Sequence, residues 1–150
     1  MRRSGEMREN VTVDGVALAP GSAGGRTLVL AEPLSFWGGV SPATGVVVDT
    51  HHPQVGESVV GRVLVLPRGR GSSSSSSVLA ETIRNAVGPA AILLAASDPI
   101  LALGSLVAAE LYGIRTPVAV LGAAAYAACA AARVLTVAVD ERGAVVRVVE

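Results

Sequence analysis

Between Leu66 and Val78 the chain reads Pro67-Arg68-Gly69-Arg70-Gly71 and then six serines, Ser72 to Ser77. These residue types in this order suit the capture of an anion. Gly69 and Gly71 let the backbone turn sharply and approach a ligand closely. Hydroxyls such as those of Ser72 and Ser73 supply caps and donors where a helix begins. Arg68 and Arg70 carry planar guanidinium forks that match a carboxylate or a phosphate, and Arg70, set between two glycines, is the better candidate. A serine hydroxyl is a poor base in water. The N–H groups of a helix N-terminus and a nearby guanidinium would stabilise its alkoxide as they stabilise other oxyanions, and so let it accept a proton. Taken alone, a serine run reads as a flexible linker. Here a buried strand leads in and an amphipathic helix leads out, which makes it a helix start.

Other chemistries are excluded by what is missing. All twelve basic residues are Arg, so neither a Schiff-base lysine nor the lysine of a Walker phosphate loop is available. His51 and His52 lie well upstream in a polar loop. The serines lack the G-x-S-x-G pattern, and hydrolase chemistry has no support. Two adjacent histidines cannot complete a metal site alone and read as a surface loop or a subunit contact. Cys129 is the only cysteine, which rules out an internal disulfide and a four-cysteine cluster, and its Ala-rich surroundings make it an inert core residue. Phe36 and Trp37 sit in a Gly-flanked stretch. They either plug the domain's own core or anchor a partner, since aromatics dominate interface hot spots.

The elements that must position these residues alternate. Val11–Ala19 and Thr27–Ala31 read as short strands separated by a Gly-rich segment, Pro20 to Gly25. Val46–Val48 reads as a brief strand before the polar loop from Asp49 to Glu57. Val63–Leu66, Ala91–Ala95 and Val118–Leu121 are unbroken apolar runs, expected of strands buried on both faces. Val78, Leu79, Ile83 and Val87 recur at helical spacing up to the stop at Gly88-Pro89. Ile100–Leu111 and Ala123–Ala132 read as further helices. Val134–Val139 and Ala144–Val149 flank an Asp140-to-Gly143 hairpin turn. Strands and helices alternating through the middle, with β pairs at both ends, predict one α/β domain over residues 11–150 behind a loose, charged segment, residues 1–10.

A chain of 150 residues, 51% hydrophobic and 16% charged, fits one domain and is no disordered tail. Twelve basic residues balance twelve acidic ones, which leaves no field favouring nucleic acid or an anionic membrane. Mean hydropathy is +0.55. Its longest uncharged apolar stretch, Thr116 to Ala132, is mostly alanine, contains Pro117 and falls short of a span. Residues 1–10 carry no apolar signal core. A soluble, cytoplasmic chain is the expectation.

The stretches Pro33-Leu34-Ser35-Phe36-Trp37-Gly38-Gly39-Val40, Gly61-Arg62-Val63-Leu64-Val65-Leu66-Pro67 and Gly69-Arg70-Gly71-Ser72-Ser73-Ser74, followed by Asp98-Pro99-Ile100-Leu101-Ala102-Leu103-Gly104, resemble the signature of the aconitase X swivelling domain. The resemblance covers residues 11 to 149. It implies the swivelling β/β/α fold of aconitase-type hydro-lyases. It also implies a small subunit that closes over an active site borne mainly by a large catalytic subunit, the two forming a heterodimer. The iron or iron–sulfur centre would belong to that large subunit, with no cofactor in this chain. The family's proton acceptor falls on Ser72; Arg70, Gly71 and Ser73 are carried as substrate-binding neighbours.

Two small hydroxy-acid substrates divide the family. Bacterial members resemble cis-3-hydroxy-L-proline dehydratases, and archaeal two-subunit members resemble mevalonate 5-phosphate dehydratases. Gly-Arg-Gly before a long serine run, with His51-His52-Pro53 upstream, is similar to the bacterial form. The expected reaction is removal of the proton alpha to the substrate carboxylate by Ser72, loss of the 3-hydroxyl as water, and tautomerisation to a pyrroline-2-carboxylate. The mevalonate phosphate reaction stands as the alternative, and a non-catalytic anion-binding module as a second one. A phosphohistidine carrier would need a histidine where Ser72 stands.

Overall fold

The computed structural model describes residues 11–71 and 73–149; the expected N-terminal segment 1–10, Ser72 and Glu150 lie outside the described residues. In chain order the elements are β1 (Thr12–Ala19), β2 (Gly21–Val29), a short kinked turn α1 (Phe36–Gly39), β3 (Val63–Leu66), α2 (Ser74–Arg84), β4 (Ala91–Leu94), α3 (Pro99–Tyr112), β5 (Val118–Leu121), α4 (Ala123–Ala130), β6 (Val134–Asp140) and β7 (Gly143–Val149). The strands close into a barrel in the order β1-β5-β4-β3-β2-β6-β7. β2 through β5 run parallel in the order β2-β3-β4-β5, while β1, β6 and β7 join by antiparallel pairing.

The three apolar runs are buried on both faces, and their alternation feeds two separate cores. Leu64, Leu66, Ile92, Leu94 and Val118 point to a layer shared with Leu79 and Ile83 of α2 and Leu101 and Ala108 of α3. Val63, Val65, Ala91, Leu93, Ala119 and Leu121 point the other way, to a cluster with Leu135, Val137, Val139 and Val146 inside the barrel. Successive strand residues face opposite sides, so a strand covered on both sides must be apolar throughout. β6, covered on one side only, alternates buried and exposed instead. Cys129 of α4 is fully buried in the barrel cluster, where burial pushes its thiol up to about 11. It is a protonated core residue at neutral pH.

Two expectations need correction. The Gly-rich segment is no connection: β2 spans Gly21–Val29, and Gly21 to Arg26 pair in register with Val139 to Val134 of β6. Its glycines answer a crowded crossing. A Cβ on Gly25 would lie 2.4 Å from the Gly61 carbonyl oxygen, and one on Gly24 3.1 Å from the Thr136 methyl. The first two strands are also not a pair. β1 bonds β5 and β7, whereas β2 bonds β3 and β6, so the chain turns a barrel corner at Pro20. Val46–Val48 forms only single bridges, Val46 to Ser58 and Val47 to Val40. Among the described residues no helix is long and apolar enough to cross a membrane.

Replacing Gly25 by Ala forces the Gly61 backbone to move and is expected to cost about 1–3 kcal/mol. Gly122→Ala, with nothing within 4 Å of the new Cβ, should be near neutral. Thermal or urea unfolding of the two variants checks this.

Candidate active site

β3 and β4 are adjacent parallel strands, and the loops that leave their carboxyl ends each start a helix. In open parallel sheets such loops form the usual ligand crevice. Here they enclose a cavity of about 250 Å³, walled by Arg68 to Gly71 on one side and Ser97 to Leu101 on the other, with Ser75 from α2.

Asp98 ties the two loops together. Its Oδ1 accepts the N–H of Ile100 at 2.9 Å and of Leu101 at 3.1 Å, capping α3, and its Oδ2 accepts the Gly69 N–H at 2.9 Å. A Cβ on Gly69 would sit 2.4 Å from that Oδ2, so only glycine fits. The Arg70 N–H donates to the Leu34 carbonyl at 3.1 Å, and Leu34 bridges Gly69 in parallel. Gly71 then takes φ +103, with its Cβ position 2.7 Å from Ser35 Oγ. Both guanidinium-bearing residues, Arg68 and Arg70, are exposed and line the cavity.

The serines divide by role. Four of them, Ser74 to Ser77, lie inside α2, which confirms a helix start over a linker. The side chain of Ser73, the residue before the helix, makes no cap bond; its carbonyl accepts from the N–H and Oγ of Ser76 at 3.1 and 2.7 Å. Ser73 is exposed and is not among the residues lining the cavity. Ser75 is buried and holds the Pro33–Val40 stretch. Ser35 Oγ donates to the Trp37 carbonyl at 3.0 Å, so its contact of 3.1 Å with Ser75 Oγ is met by a proton from Ser75, and Ser75 Oγ accepts the Trp37 N–H at 3.4 Å. α2 begins at Ser74, so the positive end of its dipole lies beside this loop. An anion placed there meets a helix terminus and two cationic forks.

The geometry separates Phe36 from Trp37: Phe36 is fully buried, while Trp37 is 62% exposed. His52 is buried and structural. Its Nδ1 accepts the Gln54 N–H at 3.0 Å, so its proton sits on Nε2 and donates to the Glu32 carbonyl at 3.0 Å. His51 is exposed. Among the described residues no three His, Cys, Asp or Glu side chains converge to hold a metal ion. The larger cavity, about 770 Å³, lies among Ala17 to Ser22, Arg115 and Val139 to Glu141. It adjoins the segment entering β5, at the opposite ends of the parallel strands, and holds no nucleophile placed against a base.

Asp98 is not among the candidate residues that the sequence singles out. Its signal was present: an Asp immediately before Pro99 is an N-cap before a first-turn proline. Ser35 and Ser75 carried no local signal, because their partners are 40 residues apart.

A family model described as the aconitase X swivel domain matches residues 12–148. Over 105 residues the chain is 52% identical to the cis-3-hydroxy-L-proline dehydratase of Pseudomonas aeruginosa, covering 70% of this chain and 18% of that protein. It is 44% identical over 96 residues to the phosphomevalonate dehydratase small subunit of Methanothermobacter thermautotrophicus, covering 64% of this chain and 73% of that one. The crystal structure of Thermococcus kodakaraensis aconitase X in its holo form superposes with a TM-score of 0.77 at 30% identity, covering 93% of this chain and 99% of that chain. The chain thus spans about a fifth of the dehydratase from Pseudomonas and most of the separate small subunit.

Asp98→Ala removes the α3 cap and the brace on Gly69 at once. It is expected to lower stability by about 1–2 kcal/mol, with Asp98→Asn losing less, as read by urea unfolding.

Proposed function

This chain belongs to the aconitase X swivel domain family, and from that membership we propose that it is the small subunit of a hydro-lyase that dehydrates cis-3-hydroxy-L-proline. The observation that carries the proposal is the braced Gly69–Ser75 helix start at the carboxyl ends of β3 and β4. The substrate has a carboxylate beside the carbon that must lose a proton, and this loop presents two guanidinium groups next to a serine run. The 52% identity to a protein named for that substrate supports it.

In this reading the substrate carboxylate docks against the Arg70 guanidinium beside Gly71. Ser72, between Gly71 and Ser73, takes the proton from the alpha carbon. Its alkoxide is stabilised by the same helix terminus and cation. The electron pair left on the alpha carbon forms the double bond to the neighbouring carbon, whose C–O bond breaks. Hydroxyl and proton leave as water, and the enamine tautomerises to a pyrroline-2-carboxylate. The iron centre that the resemblance implies finds no ligand set among the described residues. We assign any such centre to the large catalytic subunit, and the part derived for this chain is anion binding and proton transfer.

Mevalonate 5-phosphate is the second reading, favoured by the match over most of a separate archaeal small subunit. The test is the complex with the large subunit, assayed side by side on both substrates. Turnover of the hydroxyproline is expected; turnover of the phosphate alone overturns the substrate and keeps the mechanism. Ser72→Ala should cut turnover about 10²- to 10⁴-fold while the subunits still assemble, and full activity in that variant removes Ser72 from the mechanism.

A further inference from the structure

Trp37 is the chain's only tryptophan, and both its backbone N–H and its carbonyl are hydrogen-bonded to serine side chains. Its carbonyl accepts from Ser35 Oγ at 3.0 Å, its N–H donates to the buried Ser75 Oγ at 3.4 Å, and the following residue, Gly38, takes φ +75. The backbone beneath the side chain is fixed while the indole is 62% exposed. Val48, 46% exposed, lies on the neighbouring segment, where its N–H donates to the Gly39 carbonyl at 2.8 Å. Ser35 also abuts Gly71, so this patch and the rim of the anion cavity share one hydrogen-bonded base.

We propose that Trp37 is the anchor by which this subunit seats on its large catalytic partner, entering an apolar pocket of that partner beside the substrate site. The inference rests on the small-subunit reading above. Two observations choose this occupant. A partner that encloses a substrate over Gly71 and Arg70 must cover the adjoining Trp37 patch. A rigidly mounted exposed aromatic also loses little conformational freedom when it is buried, which is what a binding hot spot requires. The exposed leucines of α3, Leu103 and Leu106, are not among the residues that line the cavity.

The experiment labels this chain with 5-fluorotryptophan, which gives a single fluorine resonance, and adds the unlabelled large subunit. The expected result is a solvent isotope shift (H2O against D2O) that is large in the free chain and lost in the complex. Trp37→Ala should raise the dissociation constant roughly 30-fold or more without moving the unfolding midpoint, and Trp37→Phe should recover much of the affinity. A complex in which the resonance keeps its full isotope shift overturns the anchor and leaves the subunit reading standing. Unchanged affinity in Trp37→Ala does the same. Failure of the wild-type chains to associate overturns both.

Discussion

Two loops leave the carboxyl ends of β3 and β4, and the Asp98 carboxylate keeps them together. One of its oxygens caps α3 and the other holds the Gly69 N–H. A carboxylate at a helix N-terminus satisfies donors that the helix cannot satisfy itself. With that position filled from within the chain, the N-terminus of α3 is capped by its own carboxylate, and α2 begins at Ser74 on the other side of the same cavity. The brace also sets the path of the next residues. Gly69 has no room for a side chain, Arg70 bonds Leu34, and Gly71 turns with positive φ into the serines. The cradle is thus a consequence of one capping interaction propagated along three residues.

Behind the loops, the double-faced strands make the platform stiff. Each residue of β3 and β4 is buried, and alternate side chains belong to different cores. A substitution that shifts either strand disturbs both the helix layer and the barrel interior, since close-packed interiors transmit strain. The loops of the candidate site thus leave strands that are buried along their whole length.

The central elements were legible in the sequence because burial on both faces leaves an unmistakable apolar run, and because a helix following Gly-Arg-Gly and serines has only one sensible start. The barrel closure was not legible. It depends on β1 and β2 parting at Pro20 to pair with different strands, and nothing local distinguishes that corner from a hairpin. Gly21 to Gly25 misled for a related reason: glycines that mark a loop in isolation are here a strand whose neighbours leave no space for side chains. At the site, Arg70 and Gly71 line the cavity, whereas Ser73 lies outside its wall and its carbonyl accepts from Ser76. Ser35 and Ser75 could not be read, because a contact between residues 40 apart has no local pattern.

In the proposed function the Gly69–Ser75 helix start receives the substrate carboxylate. The most direct measurement is a crystal structure of the Ser72→Ala subunit in complex with its large partner and cis-3-hydroxy-L-proline. The expected result is a carboxylate within hydrogen-bond reach of the Arg70 guanidinium, with the alpha carbon facing residue 72. A carboxylate seated elsewhere, for instance in the larger cavity beside Arg115, contradicts it.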